Sequence, residues 1–301
     1  MKKTCLLLVL VLVLALSGCA AAEGRTIVAS FYPVYILAQN VLKDIPGVEL
    51  RCMTAPTTGC LHDYQLLTGD MRALAGASAF LINGAGMEGF LPDVQAQLPD
   101  LPIIDCSEGI GLIAEEEHEE EHEEAHEEHR HGETNAHIWL APQNAIRMVK
   151  NIQSGLTALM PEHAQQLAEN ADAYIAKLEA LDAELKAAID PLPHKTIVTF
   201  HEAFPYFAQA YGLNVAAVAA LEPDEPISPK MLAELTEIVR QNGNPPLFSE
   251  PQYENAALEA IHQETGAPVY ELDPLVTGDG SLTAYEDTLL KNLAVLIEAL
   301  Q

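Results

Sequence analysis

The sequence predicts an α/β protein of two lobes, each with a mainly parallel four-stranded sheet and flanking helices, joined by one long rigid helix. Three observations carry this expectation. Short β-rich runs alternate with helical patterns, the signature of βα units and parallel sheets. The runs fall into two groups of four, separated by a long helical stretch with a single apolar stripe. The 301 residues also suit two domains, at about 150 residues each.

The first group of strands is expected at Thr26–Ser30, Val48–Met53, Ala79–Asn83 and Ile103–Cys106. The second is expected at Thr196–Phe200, Val215–Ala219, Leu247–Ser249 and Val269–Leu272. Between them Pro161 suits a helix start. Leu167, Ala171, Tyr174, Leu178, Leu181, Leu185 and Ala188 then step by three and four, which gives one apolar face. Asp190-Pro191 ends the pattern. A helix over this stretch spans roughly 40 Å at 1.5 Å per residue, long enough to join two lobes, and packing on one lobe alone is the alternative.

The N-terminus is expected to direct export. Lys2 and Lys3 precede an unbroken apolar run, Leu6 to Leu16, which is too short for a membrane span of about 20 residues and fits a signal core. Leu16-Ser17-Gly18-Cys19 resembles the bacterial lipobox, in which the Cys becomes the acylated first residue. Ordinary secretory cleavage near Ala20–Ala22 is the alternative. The expected division is a signal peptide at 1–18, an N-terminal lobe at 19–160, a linking helix at 161–190 and a C-terminal lobe at 191–301. The chain then sits on the extracytoplasmic face of a bacterial membrane, at the cell surface or in the periplasm, held by lipid on Cys19. Cys52, Cys60 and Cys106 remain, enough for one disulfide. Cys60 and Cys106 both follow strands, so that pair is favoured.

The formal charge is −29. No nucleic acid is expected as a partner, because phosphate binding needs clustered Lys and Arg. Glu115 to Arg130, EEEHEEEHEEAHEEHR, holds ten of the acids, and the body without it still carries −20. Its self-repulsion predicts a mobile loop over 115–131. His118, His122, His126, His129 and His131 in that run are candidates for weak, accessory metal binding; a solvated acidic loop with no such role is the bland alternative.

Ligands of open parallel sheets bind beyond the carboxyl ends of the strands. His201 directly follows the fifth expected strand, Asp273 follows the eighth, and Glu250 follows the seventh. His62 lies on the loop after the second strand and His137 on the loop after the fourth. Three imidazoles and one carboxylate suit four-coordinate Zn²⁺, and Mn²⁺ or another divalent ion remains compatible with the donor set. Each residue alone reads more readily as a loop or cap residue; their shared placement favours the metal. Glu250 is a candidate to orient a ligand His from its other ring nitrogen. A thiolate role for Cys60 beside His62 competes with its use in a disulfide.

Several stretches are similar to the cluster 9 (cluster A-I) solute-binding proteins of metal-uptake ABC importers, in particular the zinc-binding branch. They are Gly59-Cys60-Leu61-His62-Asp63-Tyr64, His137-Ile138-Trp139-Leu140, Thr199-Phe200-His201-Glu202-Ala203-Phe204, Glu250-Pro251-Gln252 and Leu272-Asp273-Pro274-Leu275, in family order along almost the whole mature chain. The acidic His-rich run is a further shared trait. The resemblance implies two α/β lobes on one long helix, a metal in the cleft, and His62, His137, His201 and Asp273 as its ligands. It also implies capture of Zn(II) and delivery to an ABC permease in the membrane, without enzymatic activity, by a chain expected to be monomeric. His at 201 is similar to the zinc type rather than the manganese type. Cys60-Leu61 departs from the Pro or acidic residue that many members carry before the first ligand, which gives Asp273 more weight. Two other classes stay open. A zinc hydrolase would use the three His with water, and Glu202 or Glu250 as base; Asp273 as fourth ligand would close such a site. A surface adhesin is the other, and no protein-binding patch is evident for it.

Overall fold

The computed structural model describes residues 24–54, 64–114, 134–219, 228–251 and 256–301. The signal segment with Cys19, the segment with Cys60 and His62, and the His/Glu run 115–131 lie outside the described residues. Among the described residues no helix is long and apolar enough to cross a membrane.

The first sheet takes β1 (Arg25–Ala29), β2 (Val48–Cys52), β3 (Ala79–Ile82) and β4 (Ile103–Asp105) in the order β2-β1-β3-β4. The second takes β5 (Thr196–Thr199), β6 (Asn214–Val218), β7 (Leu247–Ser249) and β8 (Val269–Glu271) in the order β6-β5-β7-β8. Every pairing is parallel. Both sheets therefore follow one plan, with the first and third strands of each group central. The central strands are apolar on both faces: β3 (AFLI) is buried throughout. This is the pattern of a parallel sheet covered on both sides. β6 is Asn214–Val218, one residue earlier than its apolar run suggests because Asn214 pairs with Thr196, and its register with β5 shifts between Ile197 and Val198.

Helices α1 (Tyr32–Val41), α2 (Thr68–Ala75) and α3 (Leu91–Gln97) connect the first sheet. Helices α6 (Pro205–Tyr211), α7 (Pro229–Gln241) and α8 (Ala256–Thr265) connect the second. Proline stands in the first turn of α1, α3, α6 and α7, where its missing N–H costs nothing. Ser228 also caps α7, its side chain accepting from the Met231 amide. Helices α4 (Pro142–Leu159) and α5 (Ala164–Ile189) follow the first sheet, and α9 (Ala284–Leu300) closes the chain.

The long helix departs from expectation at its start. Pro161–His163 form a 3-10 turn, and the α-helix begins at Ala164. Its buried face is Leu167, Ala171, Tyr174, Leu178, Leu181, Leu185 and Ile189; Ile189, rather than Ala188, ends the stripe. It packs on α1 and α4 of the first lobe and on α6 and α9 of the second. Packing on one lobe alone is thus ruled out. The main core is continuous between lobes, with Ile27 and Leu81 of the first sheet and Ile197 and Phe248 of the second in one cluster around this helix.

Hydrogen bonds also cross between the lobes. The Asn40 amide donates to the Leu282 carbonyl at 3.1 Å, and the Gly280 amide donates to the Tyr32 hydroxyl at 3.1 Å. The Trp139 indole donates to the Pro274 carbonyl at 2.9 Å, and the Tyr285 hydroxyl to the Trp139 carbonyl at 2.7 Å. A shared apolar core plus these bonds resists wide hinge motion, because opening would expose apolar surface and orphan several buried polar groups.

Among the described residues Cys106 is a free, fully buried thiol; Cys60, its favoured partner, lies outside them. Cys106 lies in the core beneath the first sheet's carboxyl edge, and burial pushes its thiol well up. Cys52 is also free. It ends β2 while Cys106 follows β4, on opposite edges of the sheet. Three strand spacings of about 4.8 Å separate those edges, beyond the 7 Å limit between Cα atoms for a disulfide.

The same edge holds a buried carboxyl. Glu88 is 5 % exposed and accepts from the Ser30 hydroxyl at 2.6 Å, the Asn83 amide at 2.7 Å and the Gly84 amide at 3.0 Å. Gly84 has φ +77°, and a Cβ there would meet Asp105 Oδ1 at 2.0 Å. Only glycine therefore lets the backbone approach this closely. Burial outweighs the three donors and pushes the Glu88 pKa up to about 7 from 4.5. The fold favours the protonated form. Its stability contribution is complete below about pH 4.5 and is lost as pH rises through about 7. The effect is on the order of 3 kcal/mol, at 1.36 kcal/mol per unit. Glu88→Gln is expected to flatten the fall in stability between pH 5 and pH 8 in urea titrations. An unchanged slope would refute this assignment.

Candidate metal centre

β5 ends at Thr199, and Phe200 then turns inward at 5 % exposed, which leaves His201 at the carboxyl edge of the second sheet. β7 ends at Ser249 and delivers Glu250 beside it, 6 % exposed. His201 Nδ1 lies 2.6 Å from Glu250 Oε1. A carboxylate only accepts, so an ionised Glu250 favours the neutral tautomer with the proton on Nδ1, in which Nε2 is the nitrogen able to bind a metal. Glu202 Oε1 lies 3.7 Å from that Nε2. One imidazole is thus flanked by two carboxylates, one orienting it and one beside its donor nitrogen.

His137 enters from the first lobe. It precedes a 3-10 turn, Ile138–Leu140, whose three residues are fully buried. His137 is itself 2 % exposed. Its ring stands perpendicular to that of His201, with centroids 4.8 Å apart, and packs 5.1 Å from the Trp139 ring. Two imidazoles from different lobes therefore meet, in an arrangement suited to two ligands of one ion.

Asp273 follows β8 after Leu272 and is half-buried. Asn292 of α9 brackets its backbone: the Asp273 amide donates to Asn292 Oδ1 at 2.9 Å, and Asn292 Nδ2 donates to the Asp273 carbonyl at 2.8 Å. The Leu275 amide donates to Asp273 Oδ1 at 2.7 Å. Leu275 is fully buried with φ 62°, a left-handed conformation that a branched residue adopts only where its surroundings impose it. Burial pushes the Asp273 carboxyl up, against the lowering by the Leu275 amide.

The structure thus brings His137, His201 and Glu250 together and places Asp273 on the same edge of the second sheet. Among the described residues no three His, Cys, Asp or Glu side chains form a metal-holding group. His62, the fourth expected donor, lies outside the described residues, as do His118, His122, His126, His129 and His131.

Three polar residues around the site escape a reading of strand ends. Asn292 looks like a polar position on an amphipathic helix, yet is 4 % exposed. Trp139 and Asn135 belong to the loop before α4. Proximity to His137 was the sole signal for both, and each has a hydrogen-bond partner more than sixty residues away, Pro274 for Trp139 and Glu202 for Asn135.

A family model described as ZnuA, zinc-uptake complex component A periplasmic, matches residues 27–299. The chain is 34 % identical over 281 residues to the zinc-binding lipoprotein AdcA of Streptococcus pneumoniae serotype 4, covering 91 % of this chain and 56 % of that protein. It is 31 % identical over 264 residues to the high-affinity zinc uptake system protein ZnuA of Bacillus subtilis, covering 86 % of this chain and 81 % of that protein. The Zn(II)-bound ZnuA-like domain of Streptococcus pneumoniae AdcA has the same fold, with a TM-score of 0.74 at 27 % identity, covering 92 % of this chain and 98 % of that one. The chain spans about half the length of the AdcA proteins it matches. With its family model matched from the first strand to the last helix, the chain belongs to the ZnuA family of zinc-uptake component A proteins.

Proposed function

We propose that the protein captures Zn(II) outside the cytoplasm and hands it to a membrane ABC permease. Lipid on Cys19 anchors it to the membrane, and the mature chain acts as a monomer without catalysing a reaction. His62 and His137 of the first lobe and His201 and Asp273 of the second hold the ion. The observation that carries this reading is the perpendicular His137–His201 pair, one ring from each lobe, with Glu250 on the far nitrogen of His201. Relatives of the chain carry zinc binding or zinc uptake in their names, which supports zinc as the cargo.

The residues suggest how capture works. Neutral imidazoles and a carboxylate give zinc a tetrahedral set, and Glu250 strengthens His201 as a donor. The bonds between the lobes resist wide opening, so loading is confined to the cleft loops. The His/Glu run 115–131 collects metal weakly and raises its concentration near the cleft.

Competition titrations of the mature chain with Zn(II) and Mn(II) test this. One tight site that prefers zinc is expected, with weaker sites beside it. Deleting 115–131 is expected to remove the weak sites and keep the tight one. A tight site that prefers Mn(II) would overturn the zinc reading, and loss of the tight site with the deletion would overturn the collector role.

A further inference from the structure

Asn135 sits two residues before His137, is 2 % exposed, and bonds to both lobes, its Oδ1 and amide within the first and its Nδ2 and carbonyl to the second. Its Oδ1 accepts from the His137 amide at 3.0 Å, and its Nδ2 donates to the Glu202 carbonyl, the residue after His201, at 2.8 Å. Its main chain is fixed as well. The amide donates to the Ile113 carbonyl at 2.8 Å, and the carbonyl accepts from the Tyr206 hydroxyl at 2.7 Å. That hydroxyl accepts in turn from the Ile113 amide at 3.0 Å.

One short side chain thus grips the backbone beside both central imidazoles. A primary amide suits this task because it offers an acceptor at one end and donors at the other. Aspartate would keep the acceptor for His137 but turn a second acceptor toward the Glu202 carbonyl. Serine would keep only a hydroxyl near the His137 amide. Glutamine is one methylene longer and overfills a closed site.

We propose that Asn135 is a positioning residue that sets the separation and mutual angle of the His137 and His201 rings. The amide forms a brace between the lobes beside the His137–His201 pair. This rests on the reading of those two histidines as zinc ligands. Donors already held at the right spacing spare the metal the cost of ordering them, and groups that hold ligands in place are typically worth about 10–100-fold in affinity.

The test uses the full mature chain. Zinc affinity is measured by competition with a chelator, and coordination geometry by the visible absorption of the Co(II)-substituted protein. Folding is followed by thermal melting of the metal-free chain. Asn135→Asp is expected to weaken zinc binding about 10–100-fold and to shift the Co(II) bands. Asn135→Ser carries the same test if the Asp variant does not fold. His201→Ala serves as the reference for the ligand reading. If His201→Ala loses the tight site while a folded Asn135 variant keeps parental affinity and an unchanged Co(II) spectrum, the brace is overturned and the ligands stand. If His201→Ala keeps the tight site, the ligand reading fails and the brace with it. Failure of both Asn135 variants to fold would assign the residue to the fold rather than to the metal and overturn the proposal.

Discussion

Replacing His201 with Ala is expected to weaken zinc binding by more than about 100-fold, and Glu250→Ala by about 10–100-fold. The order follows from geometry. In the proposed site His201 is the zinc donor through Nε2, whereas Glu250 touches its other nitrogen, Nδ1, at 2.6 Å. Removing the imidazole deletes a donor, and 100-fold corresponds to about 2.8 kcal/mol of binding free energy. Removing the carboxylate leaves the donor but frees its ring and tautomer. The two variants also separate the possible roles of this corner. A zinc hydrolase with Glu250 as base would lose turnover in Glu250→Ala with little change in zinc affinity. Chelator competition at neutral pH measures both constants. Equal losses would refute the orienting role of Glu250, and a parental constant for His201→Ala would remove His201 from the ligand set.

Much of the fold was legible because a parallel sheet writes itself as short apolar runs. All eight strands fall within two residues of their expected limits, and the two groups form two sheets of the same order. Strand ends were less exact because pairing decides them: β6 opens at the polar Asn214, which pairs with Thr196 one residue before the apolar run. The long helix showed its apolar face, but not the 3-10 turn that Pro161 opens. What the pattern could not give was which apolar faces meet. An apolar stripe says that a helix is buried, not that one core is shared between lobes.

The candidate site divides in the same way. His201, Glu250 and Asp273 are visible because each follows a strand, and strand ends converge on one edge of a parallel sheet. Asn135 and Asn292 are not. Their importance lies in main-chain partners distant in sequence, Glu202 and Asp273, and the residue type alone suggests a turn or a helix surface. Glu88 was equally silent, since a carboxyl in an acidic chain gives no sign of being 5 % exposed.

Trp139→Ala is expected to give the largest loss of stability, about 3–5 kcal/mol. In domains of 150–250 residues each kcal/mol lowers Tm by about 2–4 °C, so a fall on the order of 10 °C follows. The indole is fully buried, packs on the His137 ring and donates to the Pro274 carbonyl. Truncation would leave a cavity, an unpaired carbonyl and a loosened junction between the lobes. Trp139→Phe separates these terms. It keeps most of the packing but drops the bond to Pro274, and is expected to cost about 1–3 kcal/mol, the usual penalty for an orphaned buried acceptor. Because Pro274 follows Asp273 directly, the Phe variant should also weaken zinc binding relative to a core substitution of similar cost far from the cleft. Leu178→Ala in α5 supplies that comparison: it is fully buried, in the middle of the long helix. If the Trp139 variants lose stability but bind zinc as the Leu178 variant does, Trp139 holds the lobes together without setting the position of Asp273. If zinc affinity falls beyond that reference, the same indole ties the packing of the lobes to the geometry of the metal site.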